Sequence, residues 1–106
     1  MKSVRPKKHL GQHFLTDLNI ARRIADTVDA CPKLPILEIG PGMGVLTQYL
    51  VEKDREVKAV EIDRESVAFL HKNFPKLHDN IIGEDFLRMD LSELFSGKPF
   101  VLTGNY

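Results

Sequence analysis

The stretch Ile36-Leu37-Glu38-Ile39-Gly40-Pro41-Gly42-Met43-Gly44 constrains this chain more than any other. A short apolar run stops abruptly at three glycines in five residues, and helical spacing resumes at Val45, Leu46, Tyr49 and Leu50. Apolar runs of this length bounded by turn residues read as buried strands, and the i, i+3, i+4 spacing reads as an amphipathic helix. The segment is therefore a strand, a tight turn and a helix. Glycines permit positive φ and let a ligand approach the backbone without interference from Cβ atoms.

The same alternation extends in both directions. Asp17 to Asp29 has helical spacing through Ile20, Ala21, Ile24, Ala25 and Val28, with Thr16 or Asp17 as N-cap. Cys31-Pro32-Lys33-Leu34-Pro35 is a breaker-rich connection. A helix is expected over 45–53, a strand over 56–62, a helix over 64–73 with Val67, Ala68 and Leu70 inward, and a short strand over 80–83. A short helix over 91–95 and a strand over 99–104 complete the reading. This β-α-β-α-β order predicts an α/β fold, a parallel sheet with helices on its faces. Asn105 and Tyr106 follow the last strand directly, so the sheet is read as truncated, the N-terminal portion of a longer enzyme.

Composition narrows the class. A chain of 106 residues suits one small domain, and 42% hydrophobic with 28% charged residues is ordinary for a globular chain. No apolar run is long enough for a transmembrane helix, and residues 1–9 are polar and basic with no secretory signal pattern. Cys31 is the single cysteine, which excludes an internal disulfide and suggests a reducing, cytoplasmic setting. His9, His13, His71 and His78 are scattered, so no metal is expected. The net charge of zero divides unevenly. Lys2, Arg5, Lys7 and Lys8 give residues 1–16 a charge of +4, and residues 17–106 carry −4. The division expected is a basic arm over 1–16, either a nucleic-acid contact or a solvated tail, and a ligand-binding domain over 17–106.

Three features converge on an adenosine ligand. Counting from Gly40, a dinucleotide fingerprint G-x-G-x-x-G would need glycine at position 45, where Val45 stands. The observed G-x-G-x-G suits a turn beneath S-adenosylmethionine better than one over pyrophosphate. A ligand-free turn is the alternative. Glu61 ends the second strand, where an acid can accept from both ribose hydroxyls. Asp85 follows the third, where a carboxylate can accept from the adenine amine with Phe86 near the ring. Asp63 is read as a helix N-cap, and Glu84, Asp90 and Glu93 as solvated.

The segments Lys8-His-Leu-Gly-Gln12-His13-Phe14-Leu15, Glu38 to Thr47, Val60 to Asp63, Gly83 to Phe86 and Gly104-Asn105-Tyr106 together resemble the ribosomal RNA adenine N6-dimethyltransferases, most nearly the bacterial small-subunit enzymes. The resemblance runs from about Lys7 to the last residue. It implies a Rossmann-like class I S-adenosylmethionine-dependent methyltransferase fold and a product of two adjacent N6,N6-dimethyladenosines near the 3′ end of 16S rRNA. It implies His13, Leu15, Gly40, Glu61, Asp85 and Asn105 as cofactor-binding residues, with His13 standing where the family more often has Asn. Asn105 matches the first residue of the family's Asn-x-Pro-Tyr motif and is the implied catalytic residue. Tyr106 fills the variable second position, and the Pro-Tyr pair lies outside this chain. The implied partner is 16S rRNA in the small ribosomal subunit, with a monomeric enzyme, no membrane and no metal. The residues leave open a 23S rRNA adenine methyltransferase, a non-catalytic RNA-binding assembly factor, and an NAD-dependent oxidoreductase, the last disfavoured by Val45.

Overall fold

The computed structural model describes residues 17–104. His13, Leu15, Asn105 and the basic residues of the arm lie outside the described residues.

The chain enters helix α1, Leu18–Asp26, through Asp17, whose carboxylate accepts from the backbone N–H groups of Asn19 and Ile20. This satisfies two of the donors that a helix start leaves open. Ala21 and Ala25 are fully buried along the inner face, whereas Ile20 is 42% exposed. The helix expected to reach residue 29 turns into a 3-10 segment, Thr27–Ala30, where the Thr27 hydroxyl bonds the carbonyl of Ile24. Strand β1, Ile36–Ile39, follows, then the glycine turn and helix α2, Thr47–Leu50. Strand β2, Val57–Val60, helix α3, Arg64–Asn73, strand β3, Ile81–Ile82, and strand β4, Val101–Gly104, complete the order. The segment between β3 and β4 holds two single-turn 3-10 helices, Phe86–Arg88 and Leu91–Glu93.

Helix α2 is four residues long where the spacing suggested nine. Its exit is drawn back toward the first helix. Lys53 contacts Asp26 at 2.7 Å and Asp29 at 3.0 Å. The Arg55 guanidinium donates to the carbonyls of Leu34, Val28 and Cys31 at 2.7–2.9 Å. These long-range bonds turn the chain away from the helix axis. They also satisfy carbonyls in the breaker-rich connection, which has no ladder of its own. Helix α3 has the expected bounds, but it buries Ser66 and Leu70 and leaves Ala68 exposed.

All strand pairs are parallel and the sheet order is β3-β2-β1-β4. Each strand presents alternate residues to opposite faces. On one face Ile36, Val57, Ala59 and Ile81 pack with Ala21, Ala25, Leu46, Leu50 and Leu70 from the helices. On the other, Leu37 and Val60 pack with Phe95, flanked by Phe86, Met89, Leu91, Leu94 and Phe100 of the irregular segment. That segment covers the second face where a helix is usual. Leu102 of the edge strand β4 remains 44% exposed.

Candidate functional site

Three consecutive strands run outward from β1 through β2 to β3, and the chain then crosses back to place β4 on the other side of β1. The order reverses between β1 and β4. In open parallel sheets the crevice beyond the carboxyl ends of the strands, at such a reversal, is where ligands bind. The glycine turn lies at this point. Along the same edge of the sheet come Glu61 after β2 and Asp85 after β3. The three features read separately from the sequence are therefore brought to one edge, in the order Asp85, Glu61, glycine turn. Gly104 ends β4 beside Ile39, so the chain leaves toward Asn105 at the same edge.

The turn adopts positive φ at Gly40, Gly42 and Gly44, at 64°, 56° and 83°. The glycines serve different ends. A Cβ built on Gly42 meets no atom within 4 Å, so this position opens toward the crevice. A Cβ on Gly44 would collide with the Phe74 ring, which packs from the end of α3. The third glycine is thus required by packing, and the second leaves room for a ligand.

Glu61 is 1% exposed. Its Oε1 accepts from the N–H of Gly42 at 2.8 Å and its Oε2 from the N–H of Asp63 at 2.9 Å. The carboxylate proposed for a ribose is therefore also the strut that holds the tip of the turn. A carboxylate has about four acceptor positions, so two backbone bonds leave capacity for hydroxyl donors. Asp63 is a helix cap, as its position suggested, accepting from the Ser66 N–H at 3.0 Å and hydroxyl at 2.9 Å. Asp85 is half-buried, and its Oδ1 accepts from the Leu87 N–H at 3.0 Å. The residue read as an adenine acceptor also caps the turn that carries Phe86. Ile62, 53% exposed, stands next to Glu61 at the same rim. Glu84 and Glu93 are exposed, and Asp90 is exposed while capping Leu91–Glu93. Among the described residues no group of three or more His, Cys, Asp or Glu could hold a metal ion.

Sequence reasoning did not single out Glu38 as a site residue. It is 1% exposed on β1, two residues before Gly40, and accepts from the Thr47 hydroxyl on Oε1 at 2.5 Å. Burial pushes its carboxyl up to about 8, the Thr47 bond opposes that rise, and the negative charge of Glu61 adds to it. A charged residue inside an otherwise apolar four-residue strand was the available signal.

A Rossmann-like sheet with an open glycine turn at its switch point, and carboxylates after the next two strands, defines a class I S-adenosylmethionine-dependent methyltransferase. Residues 4–106 match the family described as ribosomal RNA adenine dimethylase, and the chain belongs to that family. It is 69% identical over 106 residues to a ribosomal RNA small subunit methyltransferase A of Phocaeicola vulgatus, and 68% identical to one of Bacteroides thetaiotaomicron. All of this chain is covered in both matches, together with 38% and 40% of those proteins, so it spans about two fifths of their length. Among solved structures, the 23S rRNA methyltransferase ErmE superposes with a TM-score of 0.69 at 36% identity, covering 87% of this chain and 36% of that one. A sugar N-methyltransferase, KedS8 from Streptoalloteichus, shares the fold at a TM-score of 0.53 and 16% identity. Family membership removes the oxidoreductase alternative.

Proposed function

We propose that this chain is the amino-terminal part of an enzyme that transfers methyl groups from S-adenosylmethionine to N6 of two adjacent adenines near the 3′ end of 16S rRNA. The enzyme works as a cytoplasmic monomer during ribosome biogenesis, and residues 1–106 alone are catalytically silent. The observation that supports this most directly is the alignment of Asp85, Glu61 and the glycine turn along one sheet edge, with β4 running out toward Asn105 beside the turn.

In this reading Gly40 and Gly42 admit the cofactor to the backbone, Glu61 accepts from the ribose hydroxyls and Asp85 accepts from the adenine amine. His13 and Leu15 close over the cofactor from the N-terminal segment. The bound cofactor supplies an activated methyl on a sulfonium. The protein's task is therefore mainly to position the acceptor nitrogen for in-line displacement. The adenine N6 lone pair is delocalised into its ring. The Asn105 side-chain oxygen accepts from the amine, and with a second acceptor beyond Tyr106 favours the pyramidal, nucleophilic form. The target base is taken out of its stack to reach that position. Basic residues of the 1–16 arm contact RNA phosphates.

The test is radiolabelled methyl transfer by the full-length enzyme to under-methylated small subunits, with large-subunit RNA as the competing substrate. Incorporation as N6,N6-dimethyladenosine into 16S rRNA is the expected result. Incorporation into 23S rRNA alone supports the second reading, which the 36% identical structural relative favours.

A further inference from the structure

Two carboxyls hold the glycine turn, and the reading above uses only one of them. Glu61 holds the tip through the Gly42 N–H. Glu38 holds the base. It lies in β1 before the turn, and its partner Thr47 is the first residue of α2 after it, so the bond closes the two ends of residues 40–44 on each other. Both partners are fully enclosed, Thr47 at 0% and Glu38 at 1% exposure. Resting on the reading of the turn as a cofactor seat, we propose that Glu38 is a positioning residue for S-adenosylmethionine, setting the turn through Thr47 so that Gly42 and Glu61 face the ligand together.

The working form of Glu38 is the neutral acid. Among the described residues Glu61 is the charged group that acts on it. The other neighbours are engaged elsewhere or neutral: Asp63 with Ser66, Arg22 of α1 over the Tyr49 ring of α2, and Thr103 opposite Glu38 on β4. Ionised Glu38 would set a second negative charge beside Glu61 in a dry setting, where repulsion is weakly screened. Moving either carboxyl loosens the turn, because each is bonded to it. Cofactor affinity is then proportional to the fraction of protein with Glu38 neutral. With the carboxyl titrating at about 8, that fraction is near one at pH 6.5 and about a tenth at pH 9.

The experiment is calorimetric titration of the full-length protein with S-adenosylhomocysteine at pH 6.5 and pH 9. Wild type is compared with Glu38→Gln, Glu38→Ala and Thr47→Val, and thermal melts establish that each is folded. The wild-type Kd should rise about tenfold more than that of Glu38→Gln between the two pH values, since the ligand's own titration is common to both. Glu38→Gln should bind within about threefold of wild type at pH 6.5, as the isosteric neutral form. Glu38→Ala and Thr47→Val should bind about tenfold more weakly at both. Parallel pH profiles for wild type and Glu38→Gln overturn the proposal, as does unchanged binding by folded Thr47→Val. Absence of S-adenosylhomocysteine binding by wild type would instead overturn the cofactor reading beneath it.

Discussion

Glu38→Gln removes the titrating group from one of the most enclosed polar positions in the fold, and its effect on stability follows from the carboxyl's environment. In the folded protein Glu38 titrates at about 8 against 4.5 for the free group. Between these values the folded chain holds a proton that the unfolded chain has released. Stability from this group is complete below about pH 4.5, falls as pH rises and is lost by about pH 8. At about 1.4 kcal/mol for each pH unit crossed, the full span is roughly 5 kcal/mol. Relaxation and water entry on ionisation reduce this, so a fall on the order of 2–4 kcal/mol is the working figure. Glutamine does not titrate, but its buried amide needs an acceptor, at a cost of about 1–2 kcal/mol. The variant should therefore be less stable than wild type at pH 5 and more stable at pH 8.5, with the curves crossing between. Urea unfolding of both full-length proteins at pH 5, 6.5 and 8.5, followed by circular dichroism, reads the difference directly. Other titrating groups cancel in that difference. A stability difference that stays constant across the three pH values would refute the assignment of a neutral buried acid at Glu38.

Gly44→Ala should destabilise the protein by about 2–3 kcal/mol in urea unfolding, because it strains a positive φ and drives a methyl into the Phe74 ring. Arg55→Met should cost about 2–4 kcal/mol in the same assay, since it unpairs three carbonyls at once. Asp85→Asn preserves a capping oxygen for the Leu87 N–H while removing the charged acceptor. Cofactor affinity in calorimetry should therefore fall about tenfold with thermal stability nearly unchanged. In the full-length enzyme, Asn105→Ala should cut methyl transfer by about a hundredfold or more while S-adenosylhomocysteine binding changes far less. Neutralising Lys2, Arg5, Lys7 and Lys8 should weaken subunit binding and flatten its salt dependence, and an unchanged salt slope would leave that arm outside the RNA contact.

Local chemistry was legible in the chain itself. Strand β1, the bounds of α3 and the caps at Asp17 and Asp63 follow from apolar spacing and from side chains that reach only two or three residues along the chain. The glycine turn and the acids after the next two strands were legible for the same reason, as each occupies a fixed offset from a strand end. What lies between distant residues was decided only by the tertiary structure. Nothing in the spacing states that β4 returns to pair with β1 instead of extending the sheet beyond β3, yet this reversal makes the crevice. Gly44 looks like its two neighbours until Phe74, thirty residues later, arrives against it. Arg55 shortens α2 by reaching carbonyls more than twenty residues earlier. Glu38 reads as one charge in a strand until the sheet and α2 enclose it with Glu61 nearby. Propensity and capping act over a turn or two of chain, whereas burial, repulsion and steric exclusion depend on which segments the crossovers bring together.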